Sequence, residues 1–270
     1  MTTWWDNRLV AYDCETTGVN VETDRIVSAA VVLCGGGEPT DVFTILIDPG
    51  VEIPEEATLI HGITNERAER EGVSSYNGIS VIWDRLMSAD PGWPIIVKNT
   101  PFDLTILDRE LARHRLGPRS LLRERYVIDP GIIDKHLDRY RKGSRKLHAV
   151  CDHYGATLDN AHNAEADAIA AARLAWVMGK HGVIVRRSPR STDEFRETAA
   201  LHEEWRRIRG DLAGLHEAQR RWAYAQAAGL EQHFTKTGHP QAVPRDWPVI
   251  AEHPEGQNGQ GSEQQQRVAA

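Results

Sequence analysis

From residue 8 the chain reads Arg8-Leu9-Val10-Ala11-Tyr12-Asp13-Cys14-Glu15, an apolar run that ends in acid and is followed by Thr16-Thr17-Gly18. A short apolar run bounded by a turn signal predicts a strand. Further strands are predicted near 25–34, 42–48, 94–98 and 126–129, with Gly35-Gly36-Gly37 turning the second into the third. No Gly-Lys-Ser/Thr follows that triple glycine, so it reads as a turn and not as a phosphate loop. Apolar residues at helical spacing mark helices over about 54–60, 76–88, 102–116, 131–141, 146–154 and 164–178. Three strands in a row, then strands alternating with helices, predict an α/β fold in which helices flank a mixed sheet.

The pattern changes beyond Val185. Trp205, Ile208, Leu212, Leu215, Ala218, Trp222 and Ala225 keep helical spacing amid many Arg and Glu residues, with an interruption at Gly210. One or two amphipathic helices are expected there, packed on the core or open to a protein partner. From Gly256 the chain is poor in apolar residues, a composition expected to stay disordered. These shifts divide the chain into a main domain over 1–184, a helical extension over 185–252 and a tail over 253–270.

Composition narrows the class. A chain of 270 residues with 40% hydrophobic content supplies one substantial core plus an accessory segment. No apolar run approaches the ~20 residues that span a bilayer. The start, Met1-Thr2-Thr3-Trp4-Trp5-Asp6, lacks the charged and apolar regions of a secretion signal. The expectation is a cytoplasmic protein with no membrane contact. Cys14, Cys34 and Cys151 are few, odd in number and dispersed, which argues against a disulfide framework or a thiolate zinc site.

The net charge of −7 argues against broad attraction to duplex DNA, but its distribution is uneven. Residues 1–108 hold 6 Lys and Arg against 18 Asp and Glu, whereas residues 109–146 hold 12 against 5. That basic stretch is expected either to guide a substrate strand, with Arg139, Arg141, Lys142, Arg145 and Lys146 the leading candidates, or to form a solvated helical face.

The candidate chemistry lies in four acids and one histidine. Asp13 and Glu15 alternate onto one face of their strand, with Cα atoms roughly 6.5 Å apart, while Tyr12 and Cys14 face the other way. Asp103 falls in Asn99-Thr100-Pro101-Phe102-Asp103-Leu104, where Thr100 is the expected N-cap, Pro101 the first helical residue, and Leu104, Leu107 and Leu111 the apolar stripe. Asp103 then sits in the first turn of a helix, where an acid also complements the dipole. His162 and Asp167 are five apart, roughly 140° around a helix, so they converge only if His162 precedes the helix. Asp159, Asn160 and Asn163 are turn or cap formers that permit this. Clustered carboxylates raise one another's pKa and call for strong cations, and paired divalent ions ~4 Å apart are apparatus for displacement at phosphorus.

The combination Asp-x-Glu-Thr-Thr-Gly, Asn-x-x-Phe-Asp and His-x4-Asp resembles the DEDDh 3′–5′ exonucleases, the family of the proofreading epsilon subunit of bacterial DNA polymerase III. The resemblance runs from residue 8 to about 178 and includes Ile60-His61-Gly62-Ile63-Thr64. It implies a ribonuclease H-like fold. It implies two Mg²⁺ or Mn²⁺ ions held by Asp13, Glu15, Asp103 and Asp167, with His162 as the general base. Thr16, Thr17, Gly18, His61, Asn99 and Phe102 are then expected to meet the substrate, and the partner is a single-stranded nucleic acid 3′ end, DNA by preference. Asn163 occupies the position where a related branch carries Tyr, which favours the histidine branch. Lys98 and Cys14 depart from the usual residues but supply no ligand in this reading. An RNA 3′ exonuclease of the ribonuclease T or oligoribonuclease kind, and a non-catalytic nucleic-acid-binding scaffold, are the alternatives.

Overall fold

In the computed structural model, which describes residues 3–158, 162–183 and 191–252, strand β1 (Arg8–Thr16) lies inside a sheet because both of its faces are apolar. Leu9 and Ala11 enter one hydrophobic cluster, and Val10, Tyr12 and Cys14 enter another. A strand buried on both faces needs helices on both sides. β2 (Ile26–Gly35) and β3 (Asp41–Asp48) continue the sheet as antiparallel neighbours. β4 (Val73–Ser74) pairs in parallel with β3, while β5 (Ile95–Ile96) and β6 (Val127–Ile128) add in parallel beyond β1. The order is β4-β3-β2-β1-β5-β6, the expected mixed sheet.

Helices α1 (Glu55–His61) and α2 (Asn65–Glu71) enclose a small cluster with Val27, Ile53 and Ile63. On one face of the sheet pack α3 (Ser75–Ser88), α4 (Thr100–His114) and Leu122 of α5 (Ser120–Glu124). The other face is covered by α6 (Pro130–Leu137), α7 (Leu147–Tyr154) and α8 (Ala164–His181). Ala168, Ala171, Ala172 and Ala175 of α8 share that cluster with Ala11 and Ala30, and small side chains on both sides let helix and sheet approach closely.

The extension forms two helices broken at Gly210, α9 (Thr192–Ile208) and α10 (Leu212–Lys236). Trp205, Leu215, Ala218 and Trp222 are buried in the same cluster as α8, so the packed alternative describes them; Ala225 is exposed. The expected boundary at 184, the tail over 253–270, and Asp159 and Asn160 lie outside the described residues. Three short elements, α2, β4 and α5, were not expected, because seven, two and five residues are too few to display a period. α6 ends at Leu137, before the expected 141, and the chain turns back so that Arg141 and Arg145 reach Asp134 at 2.6 and 2.5 Å.

The free edge of β6 is sealed by α10. The Val127 amide donates to His216 Nδ1 at 3.0 Å, the Asp129 amide donates to Gln219 Oε1 at 2.7 Å, and Gln219 Nε2 donates to the Val127 carbonyl at 3.0 Å. A side-chain amide thus supplies the donor and acceptor that a seventh strand would supply. Replacing Gln219 by Leu is expected to strand two buried backbone groups and to cost on the order of 2–5 kcal/mol in urea unfolding. An unchanged midpoint would show that the edge is satisfied some other way.

Candidate active site

The face of β1 that carries Leu9 and Ala11 toward α8 continues with Asp13 and Glu15. There they meet Asp167 in the first turn of α8, and one carboxylate oxygen from each of the three lies within 4.8 Å of the others. Asn163 caps α8, accepting from the amides of Glu165 and Ala166, and His162 stands just before it with φ of +67°. That left-handed turn directs the His162 amide to Asp167 Oδ2 at 3.2 Å. Asp167 Oδ1 is buried with no hydrogen-bond partner among the described residues, and such an oxygen suits a cation.

Asp103 arrives from the opposite face. Its helix α4 packs with Val10, Tyr12 and Cys14, and the Cys14 amide and thiol donate to Asp103 Oδ1 at 3.3 and 3.5 Å. Asp103 is therefore outside the tight trio and borders it across the end of β1. The N-cap of α4 is Asn99, with φ of +70°, and not Thr100 as expected; its side chain caps nothing. The capping acceptor is remote: Asp129 Oδ2 accepts from the Thr100 amide at 2.9 Å, while Asp129 Oδ1 accepts from Gly131 and Ile132 at the start of α6.

Burial raises every acid in the group. Asp13 is held well above the usual carboxylate range by burial, then by the charges of Asp103, Asp167 and Glu15, against which Lys98 acts. Glu15 is pushed up to about 7 by burial and Asp167. Asp103 is pushed up to about 8 by burial, although the Cys14 thiol and amide pull it down. Asp167 is raised by burial and lowered by its bond from the His162 amide and by the charges of His162 and Lys98. Cys14 and Lys98, assigned no role from sequence, thus act directly on the acids. The alternation that turns Cys14 away from Asp13 was the available signal for the first. For Lys98 the signal was its position at the end of the strand that lies beside β1.

The other candidates surround this group unevenly. Thr17 is buried, its amide donates to the Arg25 carbonyl at 2.9 Å, and its hydroxyl bonds Asp24, so it holds the turn in place of presenting its amide. The Thr16 hydroxyl donates to the Gly18 carbonyl at 2.6 Å. His61 lies beside the Thr16 backbone, accepts from the Ile63 amide at Nδ1, and has its pKa lowered by burial. Asn99 is exposed and Phe102 half-buried in the first turn of α4.

The exonuclease family model designated RNase T matches residues 10–175, more than half of the chain and every acid of the group. The chain belongs to that family. DNA polymerase III PolC-type of Lacticaseibacillus paracasei is 28% identical over 171 residues, 63% of this chain and 11% of the relative. A DNA polymerase III subunit epsilon-like protein of Rhodobacter capsulatus is 34% identical over 104 residues, 37% of this chain and 14% of the relative. The exonuclease match therefore spans only about a tenth of those longer relatives. Among solved structures, Escherichia coli exonuclease I in complex with a dA16 oligonucleotide superposes with a TM-score of 0.55 at 19% identity, over 64% of this chain and 40% of that one. A second exonuclease I structure gives 0.57 over 75% of this chain and 44% of that one, also at 19% identity. These show a shared fold, the ribonuclease H-like sheet.

In this member of the family the basic stretch is largely consumed internally. Arg141 and Arg145 pair with the buried Asp134, and Arg139 pairs with Glu197 at 2.6 Å. Arg125 donates to the carbonyls of Leu86, Ala89, Asp90 and Trp93. Of the five proposed guides, only Lys142 and Lys146 have no ion pair among the described residues. No helix of the described residues is long and apolar enough to cross a membrane.

The raised acids predict a pH dependence. A carboxyl whose folded value lies above its unfolded value of about 4 keeps a proton that the unfolded chain releases. Metal-free stability from Glu15 and Asp103 is thus full below about pH 4 and is lost as pH rises through about 7 and about 8. In thermal melts with a chelator, Tm is expected to fall from pH 5 to 8.5, and Mg²⁺ or Mn²⁺ to raise Tm more at pH 8 than at pH 5. An equal metal-induced shift at both pH values would detach these acids from cation binding.

Proposed function

We propose that this exonuclease is metal-dependent and removes nucleoside monophosphates from DNA 3′ ends in the 3′–5′ direction. The observation that carries the reading is the convergence of Asp13, Glu15 and Asp167 within 4.8 Å, bordered by Asp103. Half-buried Asp13, Glu15 and Asp167 and buried Asp103, with no cationic side chain bonded to them among the described residues and one oxygen unpaired, suit hard divalent ions, which take oxygen ligands. Asp13, Glu15, Asp103 and Asp167 would hold two Mg²⁺ or Mn²⁺. Bound there, the ions supply neutralisation of phosphate charge and lower the pKa of water at the site.

The chain's own residues divide the remaining work. His162, exposed where the chain enters α8, takes the proton of the attacking water through its imidazole. The hydrogen bond that its backbone amide donates to Asp167 fixes the His162 backbone beside the acid group. Asn99 and Phe102 beside Asp103, with Thr16 at the end of β1, Gly18 on the turn that Thr17 holds in shape, and His61 against Thr16, form the surround for the terminal nucleotide. A DNA substrate is supported by the DNA polymerase names of the relatives and by the oligonucleotide held by exonuclease I. Digestion of 3′-labelled single-stranded DNA, a mismatched primer-template and RNA side by side with Mg²⁺ or Mn²⁺ tests the choice, and faster loss of RNA would transfer the assignment to the RNA 3′ exonucleases.

Substituting Ala for Asp13, Glu15, Asp103 or Asp167 is expected to remove nearly all turnover at saturating metal while the fold survives, because relief of repulsion offsets the removal of one carboxylate. Full activity in one variant would take that residue out of the site. His162→Gln is expected to lower kcat by a factor on the order of 10²–10⁴ with metal affinity retained. Abolished metal binding in calorimetric titration would make His162 a ligand and not a base.

A further inference from the structure

A cavity of about 900 Å³ lies between α5, the middle of α10 and the segment 245–252, and none of the active-site acids lines it. Its walls carry five guanidiniums, Arg119, Arg123, Arg220, Arg221 and Arg245, against the two carboxylates Asp246 and Glu252. Most of the cavity is built from chain beyond the family match, which ends at residue 175. The segment is held in place along α4: the Thr105 hydroxyl accepts from the Ile250 amide at 2.9 Å, and Arg109 donates to the carbonyls of Ile250 and Ala251.

The guanidiniums outnumber the carboxylates on the cavity wall, although four of the five have a carboxylate partner on or beside it. One buried carboxylate, Asp108, is shared by Arg109 at 2.7 Å, Arg119 at 2.7 Å and Arg123 at 3.4 Å. Arg119 also meets Glu252, Arg220 meets Glu217 at 2.8 Å and Arg245 meets Glu231, the last two being solvent-accessible pairs of little energetic weight. Exposed Arg221 has no ion pair among the described residues. Arg221 is thus left without a carboxylate, and the solvent-accessible pairs of Arg220 and Arg245 are weak enough that an anion entering the cavity competes with them. Planar guanidiniums match the oxygens of a phosphodiester in pairs.

The aromatic residues narrow the ligand further. Tyr224 is 52% exposed on the wall, with the Arg245 guanidinium 5.0 Å from its ring centroid and donating to its hydroxyl at 2.9 Å. Buried Trp247 closes the interior side. Arginines interleaved with an exposed ring are the chemistry that tracks a single-stranded backbone while a base stacks. The volume lies within the ~300–1,000 Å³ of sites that take a ligand of nucleotide size.

We propose that this arginine cavity binds a phosphodiester segment of single-stranded nucleic acid at a site separate from the carboxylates. The proposal rests on the exonuclease reading for its purpose: the segment held there belongs to the molecule whose 3′ end is cut. The longer oligonucleotide then gains affinity that a very short one cannot.

The test uses the full chain and 5′-labelled dT4 and dT20 in fluorescence anisotropy with a chelator present, so that no cleavage intervenes. Wild type is expected to bind dT20 more tightly than dT4. Arg221→Glu and Tyr224→Ala, both at exposed positions, are expected to weaken dT20 by about tenfold each, with the salt slope reduced by ~0.7 for each phosphate no longer neutralised. With Mg²⁺ added, these variants are expected to raise KM for dT20, leave kcat unchanged and cut dT4 like wild type. Unchanged dT20 affinity and salt slope in both variants would overturn the proposal, as would displacement of dT20 by poly-glutamate as readily as by unlabelled dT20. Failure of the exonuclease reading looks different: no form cleaves either oligonucleotide, while the binding comparison still stands.

Discussion

Like-charge repulsion at the end of β1 is the constraint around which the rest of the molecule is arranged. Four acids have to be held together in a place where burial alone already opposes their ionisation. The fold brings them from both sides of one strand. Asp13 and Glu15 share the α8 face with Asp167, and Asp103 reaches the same end from the α4 face by way of Cys14. The acids are thereby spread over three elements, and no single helix or strand bears the whole repulsion. Lys98 opposes it from β5's end, and two backbone amides, of Cys14 and His162, oppose it locally.

The helical extension belongs to this arrangement. Gln219 and His216 occupy the open side of β6, and the residue just after β6, Asp129, caps both α4 and α6. The carboxylate that fixes the N-terminus of the Asp103 helix is therefore itself positioned through its own amide by α10. Truncating the extension would loosen the start of α4 as well as uncover the part of the hydrophobic cluster of α6 and α8 that Trp205 and Trp222 pack against. The segment after α10 adds a second tie, through Thr105 and Arg109, in the middle of α4.

Local features were the ones legible in the sequence. The alternation of β1 placed Asp13 and Glu15 together and Cys14 opposite, and the offset of His162 from Asp167 required a helix start between them, which Asn163 provides. The extension's apolar stripe and its break at Gly210 were visible, whereas whether the core or a partner covers the stripe was not; the fold buries Trp205, Leu215, Ala218 and Trp222 and leaves Ala225 exposed. Features that depend on distant partners were not legible. Asp129 caps α4 from 29 residues away in sequence, which no local pattern at Thr100 announces. The charge of the 109–146 stretch was plain, but whether Arg139, Arg141 and Arg145 faced solvent or Glu197 and Asp134 depended on a fold that composition does not encode.

The pairing of β1 with β2 runs in step from Arg8 to Glu15 and breaks between Glu15 and Thr16, where Thr16 lies opposite Ile26. A register break uncouples the chain on its two sides, because side-chain parity is set only within a continuous ladder. Lengthening or shortening the loop that begins at Thr17 would leave Asp13 and Glu15 on their face. The same change made within the ladder, ahead of Asp13, would send both acids to the opposite layer. The chain thus separates a part in which insertions are tolerated from a part in which a single added residue is ruinous, and the dividing line falls directly after its last acid on β1. A lineage is free to remodel the approach to the acids while the acids themselves stay in frame.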